Sequence, residues 1–350
     1  MNYSVAIIGA GADPETTVSG ESFSMGYRHA WAYEDHEACE IVAVADMVPE
    51  NAAAFADEFG LDDGAAFEDH REMLAEAEPD VVSIAVPPAV HTDLTVDCAR
   101  AGVDAVHCEK PMADTWDKSV RMAQECWRRD IQLTFNHQLR FHDVTKHAKE
   151  LLEDGAIGDL ERIEMSRGSL FDAGSHQIDV ANFLVDDATP EWVIGQIDYR
   201  DENLAFGVHN ANQALAQWRY DNGVHGLITT GYGEDFVSHS HRLVGSDGQI
   251  EFDYFAPGAR VRIETRDGVE TFEFKSDNPI DRAVADLIKS LETGEEPLVS
   301  ARRTLSTMEL IFGTFQSARK RGRVDFPLDV GDNPLESMVE RGDLIPDADQ

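Results

Sequence analysis

The chain has 350 residues, more than one hydrophobic core usually holds, so two domains are expected. Hydrophobic residues make up 42% and aromatic residues 8%, which excludes a disordered chain despite the charge. The net charge of −38 arises from 67 acidic against 29 basic residues, the latter 22 Arg and 7 Lys, and it argues against nucleic acid or an anionic membrane as a partner.

No stretch of about 18 uninterrupted apolar residues occurs, and the N-terminus MNYSVAIIGAG lacks a basic segment and a cleavage site. A soluble, cytoplasmic protein is expected. The acidic residues are spread along the chain and Lys is scarce, a surface that reads as a halophile's: molar salt, with a Debye length of about 3 Å, screens the self-repulsion. Cys39, Cys98, Cys108 and Cys126 show no C-x-x-C spacing, so reduced thiols are expected and no metal site is read from them.

Residues 3–9 (YSVAIIG) form an apolar run ending in glycine, as a buried parallel strand entering a tight turn does. Runs 40–46 and 80–86 repeat the form, with helical patterns at 49–59, 67–76 and 92–101 and a further strand at 104–108. Strands alternating with amphipathic helices give βαβ units, so residues 1–135 are expected to be a doubly wound α/β domain with a parallel sheet.

The rhythm then changes. Segments 160–167, 193–199, 213–220, 226–232, 240–244, 249–253, 259–265 and 269–274 are strand-like and joined by turns such as Asp221-Asn222-Gly223 and Ser246-Asp247-Gly248. They predict a second domain over 136–328 of α+β type with a large, open, mostly antiparallel sheet. Helices are expected at 280–291 and 301–321, and residues 329–350 as an acidic, extended C-terminal arm.

Gly9-Ala10-Gly11 after the first strand begins a dinucleotide fingerprint, in which glycines let backbone N–H groups approach a pyrophosphate. Pro14 stands where a third glycine belongs. An insertion over 12–25 is inferred, with Gly26 as the displaced glycine, because Gly26 precedes Asp46 by the expected 20 residues. Asp46 would accept hydrogen bonds from an adenosine ribose and repel a 2′-phosphate, and no Arg or Lys occurs in Met47-Val48-Pro49-Glu50, which favours NAD over NADP. The competing reading is a Gly-rich turn in a nucleotide-free domain.

Two segments, Val86-Pro87-Pro88-Ala89-Val90-His91 and Ala101 through Glu109-Lys110-Pro111, make the chain resemble the Gfo/Idh/MocA family of oxidoreductases along nearly its whole length. The resemblance implies a Rossmann domain followed by an α/β domain whose open sheet makes a homo-oligomer interface. It implies cofactor contacts at Pro87, Glu109 and Lys110, with His91 as a loop histidine near the cofactor rather than an acid or base. It implies that Asn136-His137-Gln138-Leu139-Arg140 lies beside the nicotinamide, with Asn136, His137 and Arg140 touching substrate. Asp172-Ala-Gly174-Ser-His176-Gln-Ile-Asp179 is similar to a D-x-G-x-H-x-x-D signature that supplies a catalytic carboxylate and histidine.

The chemistry agrees with the resemblance. Oxidising a secondary alcohol needs a base in reach of the hydroxyl, and an unperturbed imidazole titrates near 6.5. Asp172 and His176, four apart on a helix, share a face, and Lys110 can stabilise the developing alkoxide. Which of His176 and Lys110 takes the proton stays open. Asp172, His176 and Asp179 would also suit a metal, but no further His, Asp or Glu cluster lies nearby in sequence.

The short segment Gly168-Ser169-Leu170-Phe171 before Asp172 departs from longer family loops and predicts a remodelled, more open substrate pocket. The leading expectation is an NAD-dependent dehydrogenase for a secondary hydroxyl of a sugar, cyclitol or other polyol. The alternatives are a redox-neutral member that retains its nucleotide, such as an aldose–ketose oxidoreductase or an NAD-dependent glycosidase, and a non-catalytic nucleotide-binding protein.

Overall fold

The computed structural model describes residues 2–12, 24–254, 258–275 and 278–346. The chain divides into two compact units. Unit 1 draws on Met1–Ala113, Lys118–Gln138 and Pro279–Arg302; unit 2 takes Asp114–Asp117, Leu139–Asn278 and Arg303–Gln350.

In chain order, unit 1 carries β1 (Tyr3–Ile8), α1 (Met25–Glu34), β2 (Cys39–Ala45), α2 (Pro49–Glu58), β3 (Ala66–Phe67) and α3 (His70–Ala77). It continues with β4 (Val81–Ile84), α4 (Pro88–Ala101), β5 (Ala105–Cys108), most of α5 (Trp116–Trp127) and β6 (Gln132–Phe135). The six strands pair in parallel in the order β3-β2-β1-β4-β5-β6, the doubly wound arrangement that the apolar runs imply. Val5, Ile7, Val81, Val82, Val106 and Cys108 are fully buried, as central parallel strands require.

Unit 2 begins with α6 (Asp143–Glu153), β7 (Leu160–Arg167), α7 (Ala173–Leu184), β8 (Pro190–Asp198), the short hairpin β9 (Leu204–Ala205) and β10 (Val208–His209), and β11 (Gln213–Tyr220). Then follow β12 (His225–Gly231), β13 (His241–Gly245), β14 (Gly248–Asp253), β15 (Ala259–Thr265) and β16 (Gly268–Phe274). The chain next supplies α8 (Pro279–Thr293) to unit 1, and returns through α9 (Ala301–Lys320), β17 (Val324–Asp325) and α10 (Pro334–Glu340). The nine-stranded sheet runs β16-β15-β14-β13-β7-β12-β11-β8-β17, antiparallel except for β7 against β12.

Two features depart from the expectations, and one expectation falls on residues that are not described. Helix α8 belongs to unit 1: Ile280, Val284, Leu287 and Ile288 recur at helical spacing and pack into the core with Tyr27, Tyr33 and Phe55. Residues 334–340, expected to be extended, form α10, started by Pro334 behind an Asn333 side chain that accepts from the Leu335 and Glu336 N–H groups. The inferred insertion lies outside the described residues from 13 to 23, Pro14 included.

The outer face of the large sheet, where the resemblance implies an oligomer interface, is largely charged. Opposite the buried Ile163, Met165, Leu243, Ile250 and Val261, one register row reads Ile194, Gln217, Leu227, Glu164, Arg242, Glu251, Arg262, Thr271. Glu164 pairs with Arg242 and with Arg162 at 2.6 Å, and Glu251 with Arg262 at 2.9 Å. Burial raises the Glu164 pKa, but the two arginines outweigh it and hold the group below its ordinary value. Alternating charges thus satisfy one another across strands, and the exposed large apolar side chains on this face stand near its two ends, Ile194 and Leu215 on β8 and β11 and Val269 on β16.

Cys39, Cys98, Cys108 and Cys126 are free thiols. Burial pushes the Cys126 thiol up to about 12 and Cys39 to about 11. Among the described residues no helix is long and apolar enough to cross a membrane, and no group of three or more His, Cys, Asp or Glu gathers as a metal site.

Candidate active site

At the C-terminal end of β1 the backbone turns through Gly9 (φ +89°) and Gly11 (φ +72°), conformations that glycine adopts without strain. A Cβ on Gly9 would stand 2.4 Å from Val86 Cγ1 and 2.7 Å from the Ala85 carbonyl oxygen, so this turn presses directly on the end of β4. A Cβ on Gly26, in the first turn of α1, would meet the Gly9 carbonyl oxygen at 2.3 Å. Glycine alone lets helix and turn approach this closely. Asp46, just past β2, accepts the Gly11 N–H on Oδ2 at 3.0 Å and the Val48 N–H on Oδ1 at 2.9 Å. An ionised carboxylate has about four acceptor sites, so each oxygen keeps capacity for a ribose hydroxyl. The Gly9, Gly11, Gly26 and Asp46 cluster therefore fits the pyrophosphate and adenosine ribose of a dinucleotide.

At the ends of β4, β5 and β6, Pro87 is the exposed cap of α4 and Glu109 follows β5 directly. Glu109 Oε2 accepts the Lys110 backbone N–H at 3.1 Å; Oε1 accepts from Asn136 Nδ2 at 2.6 Å and His29 Nε2 at 2.9 Å. Burial would push the Glu109 carboxyl up, but these hydrogen bonds and the nearby Lys110 outweigh it and hold the group well below the usual carboxylate range. His107, bonded to Thr134 at 2.9 Å, is pushed down to about 3, first by burial and then by His29.

His91 is helical rather than a loop residue, because Pro88 starts α4 three positions earlier. The ring is fully buried: Nε2 lies 2.7 Å from the Val86 carbonyl oxygen, and Nδ1 lies 3.1 and 3.2 Å from those of Pro111 and Met112. His91 thus packs between the end of β4 and the turn after Lys110; burial lowers its pKa, and a neutral imidazole donates from one nitrogen only, to the carbonyl of Val86 or to those of Pro111 and Met112.

In unit 2, the Gly168–Phe171 segment leads into α7, which Asp172 opens at the cap position, and His176 follows one turn on; both side chains are half-buried. The entry is tightly pinned. Ser169 Oγ accepts the Ala173 N–H at 3.1 Å, its carbonyl accepts the Gly174 N–H at 2.7 Å, and Asn210 accepts the Phe171 N–H at 3.3 Å. A Cβ on Gly174 would stand 2.5 Å from the Ser169 carbonyl oxygen, which explains the glycine between Asp172 and His176.

Three expected substrate contacts are corrected by burial. Arg140 is 0% exposed and clamped by Asp179, Nε to Oδ2 at 2.6 Å and Nη2 to Oδ1 at 2.9 Å, with Asp187 3.0 Å from Nη2. Asp187 also pairs with Arg303 at 3.2 Å. Burial would lower the Arg140 pKa, but the two aspartates outweigh it and raise it further. Its guanidinium therefore anchors α7 through the last residue of the D-x-G-x-H-x-x-D signature. Asn136 is likewise 0% exposed and holds Glu109, and His137 is fully buried. Sequence reasoning missed His29, Ser83, Asp187 and Arg303; the G-x-x-H run after Gly26 was the one visible signal for His29.

Residues 3–137 match the NAD-binding Rossmann fold model of an oxidoreductase family (GFO_IDH_MocA), and residues 160–326 match that family's C-terminal alpha/beta domain. A D-apiose dehydrogenase of Paraburkholderia graminis is 27% identical over 91% of each chain. A D-xylose 1-dehydrogenase (NADP(+)) of Haloferax volcanii is 26% identical over 83% of this chain and 92% of its own. Among solved structures, the aldose-aldose oxidoreductase of Caulobacter crescentus superposes with a TM-score of 0.79 at 20% identity, covering 93% of this chain and 100% of its own.

Proposed function

Because the chain belongs to the Gfo/Idh/MocA family of oxidoreductases, we propose that it oxidises a secondary hydroxyl of a sugar or polyol with NAD as hydride acceptor. The observation that carries the reading is the clamp on Lys110, whose backbone is fixed by a buried carboxylate at the end of β5 in the unit that also bears the Gly9–Asp46 cradle. The sugar dehydrogenases among the relatives support the substrate class.

When bound, the nicotinamide supplies the hydride acceptor. The chain supplies the rest. His176 takes the hydroxyl proton, Asp172 orients the imidazole, and Lys110 donates to the oxygen as it gains charge. The carbinol C–H pair leaves as hydride and the O–H pair becomes the carbonyl π bond, so atoms and electrons balance. An NAD-reduction screen against aldoses, ketoses and cyclitols in molar KCl tests the reading. Free NADH with at least one substrate is expected, and reduction by none of them would overturn it.

We assign NAD specificity to Asp46. A carboxylate facing a 2′-phosphate costs several kcal/mol, so fluorescence titration is expected to show NAD bound roughly 10²-fold more tightly than NADP. The double substitution Asp46→Ala, Met47→Arg should reverse the preference. A wild-type preference for NADP would remove the assignment.

The charge of −38 and the exposed Ile194 and Leu215 lead us to propose a salt-stabilised oligomer joined through the outer face of the large sheet, as in a halophile's cytoplasm. Light scattering in molar KCl should give a dimer or larger. Dialysis to about 0.1 M salt, where the Debye length grows to about 10 Å, should dissociate or unfold it. A monomer whose melting temperature ignores salt would contradict both statements.

A further inference from the structure

A buried hydrogen-bond chain runs from β4 to the backbone of Lys110, and α1 supplies its middle member. Ser83 on β4 meets His29 Nδ1 at 2.7 Å, His29 Nε2 meets Glu109 Oε1 at 2.9 Å, and Glu109 Oε2 accepts the Lys110 N–H at 3.1 Å. We propose that His29 is a positioning residue for Lys110, acting through Glu109; the proposal rests on the part given to Lys110 in the reaction above.

The geometry assigns each member one task. An ionised carboxylate only accepts, so the His29 nitrogen facing Glu109 must carry hydrogen, whereas the Ser83 hydroxyl can serve the other ring nitrogen as donor or acceptor. Rotating the Glu109 carboxylate would break its bond to Lys110. Two donors on Oε1, His29 Nε2 and Asn136 Nδ2, resist that rotation. His29, Ser83 and Asn136 are 0% exposed and Glu109 7%, so no water stands ready to replace a lost partner. His29 lies 80 residues from Glu109 in sequence and is held on α1, whose Tyr27, Ala30 and Tyr33 are in the unit 1 core. The helix that opens at the dinucleotide turn thereby also sets the backbone from which the lysine projects. Displacement of a reacting group by about 1 Å can cost 10²-fold in rate, and the clamp removes that freedom.

The test compares His29→Leu, which fills the space without a donor, with His29→Gln, whose amide can still donate to Glu109. Residue-resolved hydrogen exchange of the full chain reads the Lys110 amide directly. In His29→Leu its exchange should rise at least about tenfold, whereas His29→Gln should stay close to wild type. In turnover, His29→Leu should lose roughly tenfold to a hundredfold in kcat with KM for the sugar little changed, and His29→Gln should recover most of it. Ser83→Ala, a smaller change, should raise Lys110 exchange by a lesser factor and serves if His29→Leu does not fold. Unchanged Lys110 exchange in His29→Leu or, in its place, in Ser83→Ala would overturn the proposal, as would equal loss in the Leu and Gln variants. Protected exchange lost as expected in a protein that oxidises no sugar would instead refute the proposed reaction and leave the clamp standing.

Discussion

Replacing Lys110 or His176 by alanine is expected to lower kcat by roughly 10²–10⁴-fold, with NAD affinity little changed in His176→Ala. Removing an acid–base group or the donor to a developing alkoxide takes away an interaction made chiefly in the transition state, so the loss falls on kcat. The two variants should differ in their pH profiles. If His176 is the proton acceptor, His176→Ala abolishes the rise in kcat/KM as the imidazole deprotonates, whereas Lys110→Ala keeps that limb on a reduced rate. Asp172→Ala should resemble His176→Ala in direction, since it removes the group that orients the ring. Stopped-flow turnover across pH measures all three, and near-wild-type kcat in both His176→Ala and Lys110→Ala would sink the mechanism.

Substituting Asp179 by alanine is expected to destabilise the fold by about 3–5 kcal/mol, because the variant buries an uncompensated positive charge. Arg140 and Arg303 are balanced in that cluster by Asp179 and Asp187, and Arg140 is 0% exposed. Deleting Asp179 leaves two guanidinium groups against one carboxylate. Replacing Arg140 and Asp179 together by Met and Leu should cost much less than Asp179→Ala alone, since the desolvation of both charges is removed with their attraction. Urea unfolding of the three proteins decides it. A loss below about 1 kcal/mol in Asp179→Ala would show that the pair is solvated and that α7 is anchored by packing alone.

The sheets were legible in the sequence where runs were long. Strands at 160–167, 213–220 and 259–265 coincide with β7, β11 and β15 because each alternates or stays apolar over seven or eight residues. The two-residue strands β3, β9, β10 and β17 are too short to carry a period. Of the candidate site, the sequence shows what short range or a fixed spacing carries: Gly9–Gly11 and Asp46, which the fold joins through the Gly11 N–H, and Asp172 and His176, one turn apart at the start of α7. The site was illegible where the partner is remote. Arg140 reads as a substrate contact beside Asn136 and His137 until Asp179, 39 residues on, closes over it. His29 reads as one more polar residue in a helix until the fold brings up a carboxylate 80 residues away. Helix α8 shows amphipathic spacing from sequence, but only the fold reveals that the chain returns it to the core of unit 1.

The most direct test of the central claim follows one atom. A sugar or cyclitol found to reduce NAD is prepared with deuterium on the carbinol carbon, and the nucleotide formed by the wild-type protein is analysed by mass spectrometry. Hydride transfer predicts that the released NADH carries the label, with turnover slowed when that C–H bond is broken in the limiting step. An oxidised sugar accompanied by unlabelled NADH, or label retained in the product with no NADH released, would contradict the account.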